Sequence, residues 1–406
     1  MRLENRSKYV GANKLYHVTE DRAIITLAIV FLRRKIQLHS RRPGLMYLQV
    51  SFTYNEPMTK NYPIKNGKVA ILFHEGILGS SGKTGLAFLR YSEAQIVAVI
   101  DSQCAGQSLP ELTRIPQQVP IVASVAEVLQ FAPDILLIGI APSGGVLPAE
   151  WLPEINQAVA AGLSVVNGLH AKLAPLITVP LTENQWIWDV RQEPKSVGAI
   201  ASAAAAQLSC RRVLTVGTDM SVGKMSTSLE LNRICLQRGL RSKFLATGQT
   251  GLMIGNEGLP LDAVRVDFAA GAVEQMVIKL GSECDILHVE GQGSLLHPGS
   301  TATLPLLRGS QPTHLILAHR AGQTSIRNHP HVSIPRLSKV VELYEMVVAA
   351  AGAFAGGKVR AIALNTHHLN EADALLAIAE VQAETGLACT DPVRFGAEVL
   401  WEAIDS

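Results

Sequence analysis

One segment constrains this chain more than any other. The apolar run Arg212 to Val216 leads into Gly217, Thr218, Asp219, Met220, Ser221, Val222, Gly223 and Lys224, and a helix is predicted from Met225. Glycines at the two ends of such a loop let successive backbone N–H groups turn inward and form an anion nest. The helix behind it points its positive end at the same place, and Lys224 adds a mobile cation. The spacing is one residue longer than the common G-x-x-x-x-G-K-[ST] loop. The alternative is an ordinary left-handed turn with a surface lysine, but strand, turn, Gly-Lys and helix in this order favour a phosphate loop.

The residue after the lysine is Met225, where Ser or Thr would coordinate magnesium. Ser226 could replace it only if the helix started later. The loop therefore suits a diphosphate that does not undergo phosphoryl transfer, such as coenzyme A, better than ATP with magnesium. Further strands are expected at SKFLATG, CDILHVEG, HLILAH and VRAIALN. The second of these carries Glu290 to the sheet's C-terminal edge, where ligands bind in open α/β sheets. A carboxylate there is a candidate general base or metal ligand, or else a helix cap or a brace for the loop. His297 is close behind. Arg327 is a candidate clamp for a carboxylate or phosphate. The pairs His329/His331 and His367/His368 lack a cysteine or carboxylate partner set, so no metal is expected.

From Lys68 onward strands and helices alternate, which predicts parallel sheets with helices on their faces. KVAILF, QIVAVID, Val119–Ala123, DILLIGIA and LSVVNG read as strands, the last closing a first domain. Ser124 reads as a helix cap. Between the first two strands lies a second Gly-rich loop, Gly76 to Thr84, with Gly79, Lys83 and Thr84 as candidate ligand contacts. Asp101 ends the next strand, the usual place for a ribose-binding acid, yet the fingerprint G-x-G-x-x-G is missing. The Pro142–Gly145 turn lies at the same edge. The fold class is α/β with two parallel-sheet domains: an irregular extension over 1–65, a Rossmann-like domain over 66–195 and a P-loop NTPase-like domain over 196–406. Ile200 to Ala206 is expected to be helical. The run Ala23 to Leu32 is far shorter than the roughly 20 residues that span a bilayer and is read as a strand or short helix. Met58 is a candidate physiological start.

Composition narrows the function. A net charge of +2 and 5% aromatic residues give no support to nucleic-acid binding. The five cysteines show no C-x-x-C pair, which fits a reduced cytoplasm.

GTDMSVGK followed by VEGQGSLLHP resembles dethiobiotin synthetase, though Met225, Gln292 and Ser294 depart from its pattern. The strings EGILGSSGKTG, GQGSLLHPGS, LILAHRAGQTS and TGLACTDPVRFG resemble more closely one bacterial and archaeal family over roughly 68–404. That family joins a Rossmann-like domain to a P-loop domain, and its characterised member is a D-glutamate N-acetyltransferase. The first domain is also similar to the CoA-binding domain of succinyl-CoA synthetase. The resemblance implies acetyl transfer from acetyl-CoA to the amine of a D-amino acid and a functional partnership with an amino-acid or dipeptide epimerase; a homo-oligomer without membrane attachment is also expected. On that reading Gly217 to Lys224 hold the cofactor and Glu290 or His297 is the base. Arg327 or Arg394 clamps the acceptor carboxylate, and amides of the Gly291–Ser294 turn receive the oxyanion. TDPVRFG otherwise reads as a helix start capped by Thr390. An ATP-dependent ligase and a non-catalytic nucleotide-binding protein are the alternatives.

Overall fold

The computed structural model describes residues 62–406, apart from 143, 196, 256 and 351, together with three N-terminal strands. The chain falls into two compact units, Met1–Pro57 and Met58–Ser406. In the first, β1 (Lys14–His17), β2 (Ile36–Arg42) and β3 (Leu45–Val50) form an antiparallel sheet in the order β1-β3-β2. The run Ala23 to Leu32 and the candidate start Met58 lie outside the described residues.

The second unit holds two six-stranded sheets, both wholly parallel. The first comprises β4 (Lys68–Leu72), β5 (Gln95–Ile100), β6 (Ile121–Val122), β7 (Ile135–Ile138), β8 (Ser164–Asn167) and β9 (Ile187–Asp189). Its order is β6-β5-β4-β7-β8-β9. All four residues of β7 and of β8 are buried, as strands covered by helices on both faces must be. Ser124 caps its helix as expected, its side chain accepting from the Glu127 amide. The set does not close at LSVVNG: β9 extends it by one strand.

The second sheet comprises β10 (Arg211–Gly217), β11 (Ser242–Leu245), β12 (Ile286–Val289), β13 (His314–Arg320), β16 (Lys358–Asn365) and β17 (Ala388–Thr390). Its order is β11-β12-β10-β13-β16-β17. A hairpin, β14 (Ser325–Ile326) and β15 (His329–Ser333), rises from the loop after β13. Two expectations fail here. Ile200 to Ala206 forms only a single 3-10 turn, Ala204–Gln207, because Glu274 takes the amides of Ser202 and Ala204 that a helix would need. Thr390 ends a strand rather than capping a helix, and the next helix begins at Glu398.

In each sheet the first strand lies where the strand order reverses. β4 is flanked by β5 and β7, and β10 by β12 and β13. A crevice opens beyond the C-terminal ends of strands at such a switch point. The two sheets also share apolar packing. Phe244, Ala246, Leu252, Met253 and Ile254 of the second sheet's layer belong to the same buried cluster as β4, β5 and β7. Met225 and Leu229 pack against that cluster from the helix behind the phosphate loop.

Candidate functional site

The phosphate loop leaves β10 at Gly217 and enters the Lys224–Gln237 helix. Its shape is set by Ser221 at φ +56° and Gly223 at φ +114°, conformations that turn the chain sharply. What holds it is a set of acceptors on its outer side. The carbonyl of Gly217 takes the Tyr344 hydroxyl at 2.8 Å, that of Ser221 the Arg320 guanidinium at 3.2 Å, and that of Val222 the Asn365 amide at 3.3 Å. The carbonyl of Gly223 accepts from the amide and hydroxyl of Thr227 at 2.9 and 3.0 Å. With these carbonyls engaged, the amides opening the helix at Lys224, Met225 and Ser226 are left to a ligand, since the first turn has no intrahelical acceptors for them.

Thr218 and Asp219 brace this loop. Both are fully buried. Thr218 pairs with His319 Nδ1 at 2.8 Å, and Asp219 Oδ2 accepts from Gln323 Nε2 at 2.6 Å and the Arg327 amide at 2.7 Å. Val222 is buried in the core beneath the loop. Lys224 folds back so that Nζ donates to the Asp219 carbonyl at 2.7 Å. Its stem lies against Gly217 and Gly291, and a Cβ on Gly291 would stand 1.7 Å from the Thr215 carbonyl oxygen and 3.0 Å from Lys224 Cδ. Burial pulls the Lys224 ammonium down to about 8, against the pull of Asp219 and Glu290, and the Lys83 cation adds to the fall.

Met225 occupies the magnesium-ligand position and is turned into the apolar contact with the first domain. The helix begins at Lys224, so the later start that would bring Ser226 into that position does not occur.

Glu290, just past β12, is buried at 3% exposure. Its Oε2 accepts the amides of Thr247 and Gly248 at 2.8 and 3.0 Å, ahead of the Gln249–Gly255 helix. Burial raises its carboxyl, while those two amides, Lys224 and Gln292 pull it back. Glu290 is thus a loop brace that also lies beside the phosphate-loop lysine. In the turn that follows, the Ser294 amide donates to Ser300 Oγ at 3.1 Å and so is not available to an oxyanion. His297 is half-buried, and its Nδ1 accepts from the Gly299 amide at 3.0 Å. Its ring centre lies 5.4 Å from His329, which lies 5.9 Å from His331. Among the described residues no group of three or more His, Cys, Asp or Glu side chains is placed to hold a metal.

Arg394 does not face the cleft as a free clamp. Its Nη1 donates to the carbonyls of Leu369 at 2.9 Å and of Thr366 and Asn370 at 3.4 Å. Beside it, buried Asp391 takes the amide and hydroxyl of Thr366 at 2.8 and 2.7 Å, which gives TDPVRFG a bracing role. Arg327 is exposed.

The first-domain loop meets the second domain. Thr84 is fully buried, and its hydroxyl pairs with that of Thr250 at 3.1 Å, so it ties the domains together. Gly79 makes the turn possible, since a Cβ there would stand 2.1 Å from the Glu75 carbonyl oxygen. Asp101 is buried and accepts from the amides of Gln103 at 3.1 Å and of Glu75 and Ile77 at 3.4 Å, so it braces the loop rather than awaiting a ribose. Lys83 is exposed, as a group in an open cleft is, yet the protein walls strip enough water to lower its ammonium, and the cations Arg191 and Arg327 lower it further.

Arg191 escapes sequence reasoning because Asp189–Lys195 reads as a charged linker. It follows the three-residue β9, donates from Nε to the Gly168 carbonyl at 2.7 Å, and pairs with Asp262 of the second domain. Burial lowers it to about 10. Thr250 escapes as well, although its position just beyond the SKFLATG strand signals a C-terminal edge. Lys83, Lys224, Arg191 and Arg327 thus converge between the loops of two domains, with Glu290 beside Lys224.

This architecture matches two family models. A P-loop domain described as a domain of unknown function, DUF1611_C, covers residues 199–401, and a Rossmann-like domain, DUF1611_N, covers 102–193. A D-glutamate N-acetyltransferase from Pseudoalteromonas sp is 34% identical over 282 residues, 68% of this chain and 82% of its own length. Another from Tritonibacter scottomollicae is 37% identical over 273 residues, 66% of this chain and 80% of its own length. The crystal structure of a DUF1611 family protein from Anabaena variabilis ATCC 29413 shares 62% identity at a TM-score of 0.81, covering 84% of this chain and 99% of that one. No helix among the described residues is long and apolar enough to cross a membrane. With both domains matched and these relatives aligned along most of their length, the chain belongs to the DUF1611 family, which joins a Rossmann-like domain to a P-loop domain.

Proposed function

We propose that this protein is an N-acetyltransferase that uses acetyl-CoA to acetylate the amine of a D-amino acid, D-glutamate being the acceptor its relatives' names suggest. The observation that carries this reading is an anion nest whose metal-ligand position holds Met225, packed into an interdomain core. Such a loop grips a diphosphate without activating it for phosphoryl transfer. Acetyl-CoA, when bound, supplies the acetyl group as a thioester.

The chain's own residues do the rest. Amides of Gly223 to Ser226 and the Lys224 ammonium hold the anionic part of the cofactor, with Lys83 on the facing loop. Arg327 attracts the acceptor's carboxylates, while Arg191 stays tied to Asp262. Glu290 takes the proton that the attacking amine releases, because burial raises its carboxyl and so its affinity for a proton. His297 has a different part: with Nδ1 accepting from Gly299, its neutral ring carries the proton on Nε2 and is a donor there. The setting is a reduced cytoplasm, where an epimerase would furnish the D-configured acceptor.

A second reading, an ATP-dependent ligase, draws on one observation: a carboxylate beside a phosphate-loop lysine is also the place of a metal-binding acid. Calorimetry with acetyl-CoA and with ATP, each with and without magnesium, on wild type and Lys224→Ala, separates the two. Magnesium-independent CoA binding weakened by the substitution is expected. Binding of Mg-ATP with no affinity for CoA would overturn the proposal.

A further inference from the structure

At the end of the second sheet farthest from the phosphate loop, two cysteines meet. Cys210 directly precedes β10, and Cys284 lies two residues before β12, its neighbour in the sheet. β10 and β12 pair with Arg211 opposite Ile286, and the Arg211 amide donates to the Asp285 carbonyl at 2.9 Å. Both cysteine side chains fall on one face, in the cluster with Leu280 and Leu287, whereas Ile286 packs on the other face. Neighbouring strands are about 4.8 Å apart, and the register that sets Arg211 opposite Ile286 brings Cys210 opposite Asp285, the residue after Cys284.

The thiols already interact. The neighbouring Cys284 thiol, together with Arg212, draws the Cys210 thiol below its usual range, while Cys284 is pushed up. Gly281 leaves room for the sulfur, since a Cβ there would lie 2.9 Å from Cys210 Sγ. A surface cavity of about 770 Å³, lined by both cysteines with Gly281, Arg211, Arg241 and Trp401, gives solutes a way in. Its arginines are paired with Asp405 and Asp285, so it is not an anion site. Cys104, Cys235 and Cys389 are buried away from it.

We infer that Cys210 and Cys284 form a thiol pair that a peroxide oxidises to a disulfide. The Cys210 thiolate attacks one peroxide oxygen, the O–O bond breaks, and the first water leaves with a sulfenic acid formed on Cys210. Cys284 then attacks that sulfur; the S–S bond forms, the S–O bond breaks, and the second water departs with the Cys284 proton. Two thiols and one hydrogen peroxide give one disulfide and two waters. Intracellular disulfides of this kind are transient and redox-sensing rather than structural, and low thiolate pKa with access selects such sites.

The test treats the full chain with hydrogen peroxide and reads intact mass and a non-reducing peptide map. The expected product has lost two hydrogens, links the peptides of Cys210 and Cys284, reverts with dithiothreitol and unfolds at a higher temperature. Cys210→Ser and Cys284→Ser should each abolish the cross-link, and Cys235→Ser should not. Added oxygen on Cys210 without a cross-link, or unchanged Cys210 and Cys284 while another cysteine reacts, would overturn the inference. The wild-type peptide map decides even if a serine variant folds poorly.

Discussion

Replacing Glu290 by Gln separates the brace from the base. In the wild type one carboxylate oxygen holds the amides of Thr247 and Gly248 at 2.8 and 3.0 Å. Glutamine keeps an oxygen for those amides and places its NH2 group at the other position. Hydrogen bonds to a charged acceptor contribute roughly 1.5–3 kcal/mol and neutral ones about 0.5–1.5, so losing the charge at two bonds costs about 2 kcal/mol. Relief of the buried charge offsets part of this, so the fold should survive with a loss near 1 kcal/mol. Catalysis should fall much further: removing a general base costs about 10²–10⁴ in rate, or roughly 3–5 kcal/mol of barrier. Thiol release from acetyl-CoA with D-glutamate, measured against pH, gives both kcat and its titration. Glu290 serves as base only when ionised, so wild-type activity falls on the acid side, and the variant should lose that limb. Lys224 is a cation below about 8, so anion affinity should weaken as pH rises through that value in wild type and variant alike. A variant with wild-type kcat and merely lowered thermal stability would refute the base and leave Glu290 a brace.

Three further outcomes follow from neighbouring contacts. A Cβ at Gly251 would stand 2.5 Å from Glu290 Oε2 and 3.1 Å from Ala246 Cβ. Gly251→Ala should therefore lower kcat while sparing CoA affinity in calorimetry, at about 1–3 kcal/mol of stability. Met225→Thr restores a hydroxyl at the metal position but removes interdomain packing; it should destabilise by about 1–2 kcal/mol in urea melts and leave CoA binding indifferent to magnesium. His288 is fully buried without a hydrogen-bond partner on either ring nitrogen, and burial drives it from 6.5 to about 3. The unfolded chain binds its proton first as pH falls, so between pH 6.5 and about 3 stability drops by ~1.4 kcal/mol per unit, about 2–3 kcal/mol by roughly pH 4.5. His288→Leu should remove that share of the acid sensitivity, and an unchanged pH slope in urea melts would contradict it.

Much of the fold is legible because parallel strands buried on both faces are written as apolar runs. KVAIL, ILLI and RVLTVG could be little else. β9 is not legible, since Ile187–Asp189 is three residues long and followed by charge; pairing with β8 makes it a strand. β17 is hidden because Thr390, Asp391 and Pro392 together mimic a helix start. Within the site, spacing identifies the phosphate loop but not how each side chain is used. Thr84 at a helix start looks the same whether its hydroxyl meets a ligand or, as here, Thr250 of another domain. Arg394 looks like a free cation until its three backbone carbonyls are in view. Such assignments depend on contacts between residues far apart in sequence, and periodicity carries no record of them.

The exchange of a magnesium ligand for Met225 then has a physical reason. In this chain the start of the phosphate-loop helix is also a packing surface, and Met225 and Leu229 join it to the core of the first domain. Thr84 with Thr250 and Arg191 with Asp262 add polar ties across the same boundary. Domains joined by a large apolar contact do not move freely, so the two Gly-rich loops are held facing one another. Burial, Arg191 and Arg327 depress Lys83, and Lys83 adds to the burial that depresses Lys224. Asp219 and Glu290 offset the charge of Lys224 and Asp262 that of Arg191, so Lys83 and Arg327 are the cations an anionic ligand would meet first. On the proposed reading, an anionic cofactor laid across both loops would offset the charge of these cations.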